Sequence, residues 1–291
     1  MATPKPRKRR FVVSIVGVVL VILGVLWITV IFPSLDKVPT SYARTYYFEG
    51  NFTVVNPATQ SMDFFPISQT LAQKANGTND GALLIHEKRT VFRTDTTPPT
   101  DISSIYGDES TLAINAHTLM FIPNIDERHR TGYWGPPRGL GKDKSSFDLW
   151  NEGAHAALPA NYVRDEEFRG MRVVLFRIDE GNITIVNPQS QLPLMMSTTI
   201  NLWIDPKTGT VVDQDSTTTT SMSMAGNIVP LQISNVRYAE STIVDLMGVA
   251  KDAARMLLLF TIVIPWVLIG VGIVLFLIDT MFIRRRRRSA A

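Results

Sequence analysis

The sequence predicts a mainly β fold: an antiparallel, curved sheet or half-barrel on the outer side of a membrane, held between two transmembrane α-helices. Three observations lead there. An uncharged apolar run lies near each end of the 291-residue chain, each run has a basic cluster beside it, and the stretch between them is a succession of Val-, Ile- and Thr-rich segments. The order that follows is a cytoplasmic basic tail (1–10), a first span (11–32), a β-rich domain (33–240), a juxtamembrane helix (241–255), a second span (256–283) and a second basic tail (284–291).

The run from Phe11 to Phe32 has no charged residue. At about 1.5 Å per helical residue it reaches about 33 Å, enough to cross a hydrocarbon core of about 30 Å. Met256 to Ile278 repeats the pattern. Basic clusters outside both runs make Arg9, Arg10, Arg284, Arg285 and Arg286 topology anchors. They put both termini in the cytoplasm at the plasma membrane and the intervening domain outside. The first run exceeds the apolar core of a signal peptide and lacks a small-x-small site after it, so it reads as an uncleaved anchor. Gly17, Gly24, Gly270 and Gly272 allow close helix approach, although glycine in a lipid-facing helix explains them equally well. Pro265 is expected to kink the second span and free a carbonyl. Asp279, one turn from Arg284, reads as an interfacial ion pair.

The formal net charge of +3 belongs to the tails, because the domain between the spans is acidic. The Arg run therefore reads as an anchor on anionic lipid heads and not as a nucleic-acid site. There is no cysteine, which favours a prokaryotic cell-envelope protein with a core large enough to stand without disulfides. Asn51, Asn76 and Asn182 each begin an Asn-x-Thr glycosylation acceptor pattern.

Strand patterning marks 51–55, 82–94, 171–180, 182–186, 197–204 and 210–224, where β-branched and aromatic residues recur and several segments alternate polar with apolar. Helical spacing is scarce. "QTLAQKA" (69–75) is a weak candidate; "STIVDLMGVAKDAARM" (241–256) is a better one, with Ile243, Leu246, Met247 and Ala250 on one face. Three turns share an Asn- or Asp-Pro corner, at Val55, Val186 and Ile204. The region from Thr94 to Asn161 is loop-rich. It holds Tyr133 and Trp134 beside Arg130 and Arg138, a candidate surface for a lipid, glycan or protein ligand, with burial of the Trp against the sheet an equal alternative.

Catalytic and metal motifs are weak. "VVDQDST" matches an Asp-x-Asp-x-Thr phosphotransferase pattern at Asp213 and Asp215, but it follows a tight turn and continues into an alternating strand. "GPPRGLGKDK" has the wrong spacing for a phosphate loop, and His86, His117, His129 and His155 lack ligand spacing. The expectation is a domain without catalytic residues, metal or cofactor.

Several stretches carry a resemblance: "FPSLDKVP" after the first span, "NPAT" at Asn56, "DERHRTG" at Asp126, "NYVRDEEFRGMRVVLFRI" at Asn161, "LWIDPKTGTVV" at Leu202 and "AKDAARMLLL" entering the second span. With them the chain resembles the actinobacterial porin PorA family of two-span membrane proteins, whose hairpin signature is Trp203, Asp205, Pro206 and Gly209 here. The family name implies a pore, which two helices can line only as a homo-oligomer. The hairpin is also similar to one in bacterial lipoprotein carriers, which implies a curved sheet that binds lipid. The expected partners are membrane lipids and an envelope lipid, glycan or protein, without nucleic acid.

Overall fold

The computed structural model describes residues 8–56, 59, 61–186, 193–224 and 227–289. The chain opens with α1 (Lys8–Leu26), a π-helical turn (Trp27–Ile31) and the short α2 (Phe32–Leu35). The strands follow: β1 (Ala43–Val55), β2 (Met62–Asn79), β3 (Ala82–Arg93), β4 (Thr100–Asp101), then the one-turn α3 (Ser103–Tyr106), β5 (Asp108–Ile114), β6 (Ser146–Asn151), β7 (Ala156–Phe168), β8 (Met171–Val186), β9 (Pro193–Ile204), β10 (Val211–Met224) and β11 (Asn227–Tyr238). The chain ends in α4 (Glu240–Leu258), a second π-helical turn (Leu259–Val263) and α5 (Ile264–Ser289). Two compact units result: Val38–Lys251, and the pair Met1–Lys37 with Asp252–Ala291.

All named strands join one open antiparallel sheet in the order β4-β3-β2-β1-β11-β10-β9-β8-β7-β6, with β5 also on β3. Hairpins account for most neighbours; the exception is β1 on β11, with Phe48 opposite Tyr238. The expected curved antiparallel sheet is thus present. Its curvature shows in one cluster: Trp150 of β6 packs with Leu83, Ile85 and Leu112 of β3 and β5, strands from the other end of the order. On the far half of the sheet, Val174, Phe176 and Ile178 of β8 pack with Ile200, Leu202 and Ile204 of β9 and Phe147 of β6.

Two expectations need correction. "QTLAQKA" is the middle of β2, paired with β1 on one side and β3 on the other. Its Gln and Leu alternate as well as they space helically, and two flanking ladders decide between the readings. Thr94–Asn161 is less loop-like than its Pro and Gly suggest, since it supplies β4, β5, β6 and the start of β7. The helix expected at 241–256 is present, and Ile243, Leu246, Met247 and Ala250 are all buried, packed with Phe48, Val173, Val212 and Tyr238. The turns at Val55 and Val186 run into residues outside the described ones; that at Ile204 is ordered as expected.

In the helical unit, both terminal segments contain apolar helices long enough to cross a membrane. Their close packing rests on glycine. A Cβ at Gly17 would sit 2.7 Å from the Gly272 carbonyl, and one at Gly272 would sit 2.5 Å from the Gly17 carbonyl, whereas Gly270 faces open space. Pro265 leaves a carbonyl without its donor, as expected, and the structure shows how. The Ile264 N–H bonds back to Leu259 in π fashion, so the Phe260 carbonyl would need the N–H that Pro265 lacks. The Trp27 indole of the other helix donates to it at 2.8 Å, with the two rings stacked. Asp279 is buried and accepts a hydrogen bond from the Ser14 hydroxyl across the helix pair. Arg284, its expected partner, and the anchors Arg9, Arg10, Arg285 and Arg286 lie in helix ends whose side chains are outside the described ones.

Gly17→Val is expected to lower stability in detergent by about 1–3 kcal/mol through this backbone clash, with Gly270→Val unchanged. Parallel thermal melts of the two variants check the pair.

Candidate functional site

Because strand neighbours alternate faces, the registers put Leu71 and Gln73 (β2), Tyr46 and Phe48 (β1), Tyr238 (β11), Ser216 and Thr218 (β10) and Leu202 (β9) on one side of the sheet. That side encloses a cavity of ≈ 690 Å³. Along its floor runs a stripe of uncharged polar side chains, Gln214, Ser216, Thr218 and Thr220 from β10 with Gln232 and Ser234 from β11. Four alternate residues of one strand cover about 20 Å. Part of the stripe satisfies itself: Thr218 bonds Thr198 at 2.9 Å, and the Ser216 hydroxyl donates to the Val236 carbonyl at 3.2 Å. Leu246 of α4 contributes to the lining, beside Tyr238 and Phe48.

The opposite part of the lining is charged and aromatic: Tyr42, Gln73, Glu87, Arg89, Trp134 and Trp150. A hydrogen-bond chain connects four of its groups. The Tyr42 and Tyr46 hydroxyls are 3.0 Å apart, the Tyr42 hydroxyl also donates to Gln73 Oε1 at 3.0 Å, and Gln73 Nε2 donates to Glu87 Oε2 at 2.6 Å. Burial pushes both tyrosines above their usual range. Burial also raises Glu87, and this outweighs the Gln73 amide and the nearby Arg89, which favour its charged form.

The four residues of the candidate surface separate. Trp134 and Arg138 line the cavity, Trp134 edge-on to Tyr42 at 5.6 Å and Arg138 exposed. Tyr133 is half-buried, with its ring against Phe147 of the core. Arg130 is not on a surface at all: its side chain is 0% exposed, bonded to Asp126 at 3.0 Å, Glu152 at 2.6 Å and Ser110 at 2.7 Å. Removing one member of such a buried network typically costs about 3–5 kcal/mol, so this part of "DERHRTG" fastens loop to strand.

The hairpin signature also resolves into roles. Asp205 is buried and accepts from the Thr208 N–H at 3.1 Å and hydroxyl at 2.6 Å, the Asx turn expected of it. The Pro206 carbonyl accepts from the Gly139 N–H at 2.9 Å. Gly209 has φ 75°, and a Cβ there would lie 2.6 Å from the Pro136 carbonyl. The turn is therefore docked on the loop that carries Trp134 and Arg138, and Thr208, Gly209 and Thr210 join the cavity lining. Trp203 points the other way, donating to Glu166 and packing near Phe168.

Asp213 is fully buried and held by Arg237 at 2.7 Å, and Asp215 accepts from Asn201 at 2.7 Å. An antiparallel strand with both carboxylates already engaged is not the context of a phosphotransferase nucleophile. Of the acceptor asparagines, Asn76 and Asn182 are exposed, whereas Asn51 lies mid-strand and accepts from Asn235 at 3.1 Å. Sequence reasoning missed Tyr42, Gln73, Glu87, Arg89 and Trp150; the period-two spacing of Leu71, Gln73, Glu87 and Arg89 is the signal that would have paired them. No group of three His, Asp or Glu placed to hold a metal occurs among the described residues.

A family model described as "Porin PorA" matches residues 11–280, both spans and the whole sheet between them. No curated protein matches the chain.

The raised Glu87 sets a pH dependence. Its neutral form is the favoured one in the fold, so its contribution is fully present below the unfolded value of about 4.3 and is lost as pH rises through the folded value. Glu87→Gln, neutral throughout, is expected to melt above the parent at pH 8 and together with it near pH 4. A difference independent of pH would assign the effect to packing.

Proposed function

We propose that this chain, which belongs to the Porin PorA family, is a two-span membrane protein whose strand-rich domain binds a small ligand without catalysis. The domain lies on the extracytoplasmic side in this reading, by the basic clusters outside each apolar helix. The observation that carries it is the ≈ 690 Å³ cavity with a polar floor, apolar walls and one charged end. Ligand sites are typically concave spaces of about 300–1,000 Å³ in which a few polar groups fix orientation. Of the ligand classes the sequence left open, a whole protein is too large for such a space. A bare acyl chain would strip water from Gln214, Ser216, Thr218 and their neighbours without replacing its hydrogen bonds. A glycan fragment, or an amphiphile with a hydroxyl-rich head, satisfies the floor and packs on the rings.

A second reading, the oligomeric channel, draws on the family name and on the Ser14–Asp279 pair, because an intramembrane carboxylate is costly unless it serves a path or a contact. Copies of the chain would assemble around the helices.

Native mass spectrometry of the full chain released from its own membrane is expected to show a bound small molecule. Ser216→Trp, which fills the floor, should lower its occupancy by about tenfold; undiminished occupancy would contradict the cavity reading. For the channel, purified oligomer in planar bilayers should conduct, with conductance changed by Asp279→Asn. Silence from a verified oligomer would exclude it.

A further inference from the structure

Two buried side-chain nitrogens have no hydrogen-bond partner among the described residues, Arg89 Nε and Trp150 Nε1. Both residues line the same cavity. They also belong to the same end of it. Ile85, Glu87 and Arg89 alternate along the inner face of β3, about 7 Å apart, and Trp150 packs in the cluster that contains Ile85 and its cross-strand neighbour Leu112. Buried donors are paired in all but a few cases, and an unpaired one costs free energy, so two of them converging on one empty space call for an acceptor.

The surrounding charges narrow what that acceptor is. Glu152, also in the lining, has its carboxylate taken by Arg130 at 2.6 Å and Arg128 at 3.4 Å. Glu87 is engaged by the Gln73 amide at 2.6 Å, and Arg44 by Asp245 at 3.3 Å. The neighbouring acids thus have their own partners, while a guanidinium, always charged, presents an uncommitted N–H to the cavity. Trp150 can only donate. Two convergent donors, one of them cationic, match an anionic oxygen better than a hydroxyl, which would also ask for an acceptor.

We propose that Arg89 and Trp150 form an anion subsite that holds a carboxylate or phosphate group of a hydroxyl-rich ligand, whose remaining hydroxyls lie along the Gln214 to Thr220 stripe. The proposal rests on the binding-cavity reading and adds to it the chemical class of the ligand. Trp134, edge-on to Tyr42 in the same lining, offers a ring face for a sugar. The acid group belongs either to a free acidic saccharide or to a lipid headgroup, and both present the same oxygens.

Calorimetric titration of the full chain in nanodiscs tests this with glucose, glucuronate and glucose 6-phosphate, and vesicles containing phosphatidylinositol form a second arm against phosphatidylcholine vesicles. At least one acidic probe is expected to bind about tenfold or more tighter than its neutral counterpart. Arg89→Met should abolish that preference. Trp150→Phe, which keeps the ring beside Phe121, should weaken acidic binding about threefold and leave neutral binding unchanged. Binding confined to phosphatidylinositol vesicles and dependent on Arg89 assigns the group to a lipid headgroup; binding of the soluble acids assigns it to a free saccharide. Equal affinity for neutral and acidic probes, a preference that survives Arg89→Met, or no binding of any acidic probe overturns the subsite. A co-purifying molecule lost in Ser216→Trp but retained in Arg89→Met would leave the cavity reading standing while the anion subsite fell.

Discussion

Everything in the strand-rich unit depends on the antiparallel pairing of β1 with β11. It is the one ladder that joins the first half of the sheet to the second, and it matches seven residue pairs from Phe48↔Tyr238 to Val54↔Gln232. Closing a loop of that length costs conformational entropy, although the cost grows only slowly with length. The seam is reinforced at the Tyr238 end. The Ala239 N–H donates to the Tyr47 carbonyl at 2.8 Å, the Tyr47 N–H donates to the Thr242 hydroxyl at 2.8 Å, and Tyr238 packs against Phe48 and Tyr46. Gly50, in the same ladder, admits no side chain, since a Cβ would lie 2.0 Å from the Asn235 carbonyl. The same hydrogen bonds start α4, so the seam also aims the helix whose Leu246 reaches the cavity.

From that seam the polar character of the cavity follows. β10 and β11 are the strands next to the join, and their inward positions are Gln, Ser and Thr where a packed core would have Leu or Val. The apolar side chains sit to either side, in the β8 and β9 cluster and the β3 and β5 cluster. A sheet whose two flanks are dry and whose centre is polar keeps room for a hydrated or ligand-filled space. The buried Arg130 network holds the connecting loop over this space, because Asp126 also accepts the Ala113 N–H of β5 at 3.0 Å. Gly209, lodged against Pro136, fixes the other edge of that loop.

Local patterns in the sequence show the helices, most of the strands and the Asp205 turn, because each is decided by neighbours a few residues away. The amphipathic face of α4 is the clearest instance: apolar spacing alone marks the four residues that the structure buries. The cavity is a different matter. It is built by residues that meet only through strand order, such as Gln73 with Glu87 or Trp150 with Ile85, and no spacing along the chain announces that order. Arg130 is instructive in the same way. Beside Tyr133 and Trp134 it looks like part of a contact surface, but Asp126, Ser110 and Glu152 come from three directions to bury it. Propensity misleads at 69–75 for a related reason: Gln, Leu, Ala and Lys suit a helix, and only the two flanking strands show otherwise.

The central claim is that one face of β10 meets a ligand and the other does not. Thr217 and Thr218 are adjacent on that strand; Thr217 is exposed and bonded to Asn235 on one face, Thr218 lines the cavity on the other. A photoreactive residue placed at each position in turn, irradiated in intact cells, reads the two faces separately. The account predicts a small-molecule adduct of a few hundred daltons from position 218 and none from 217. Equal labelling at both positions, or none at 218, would contradict it.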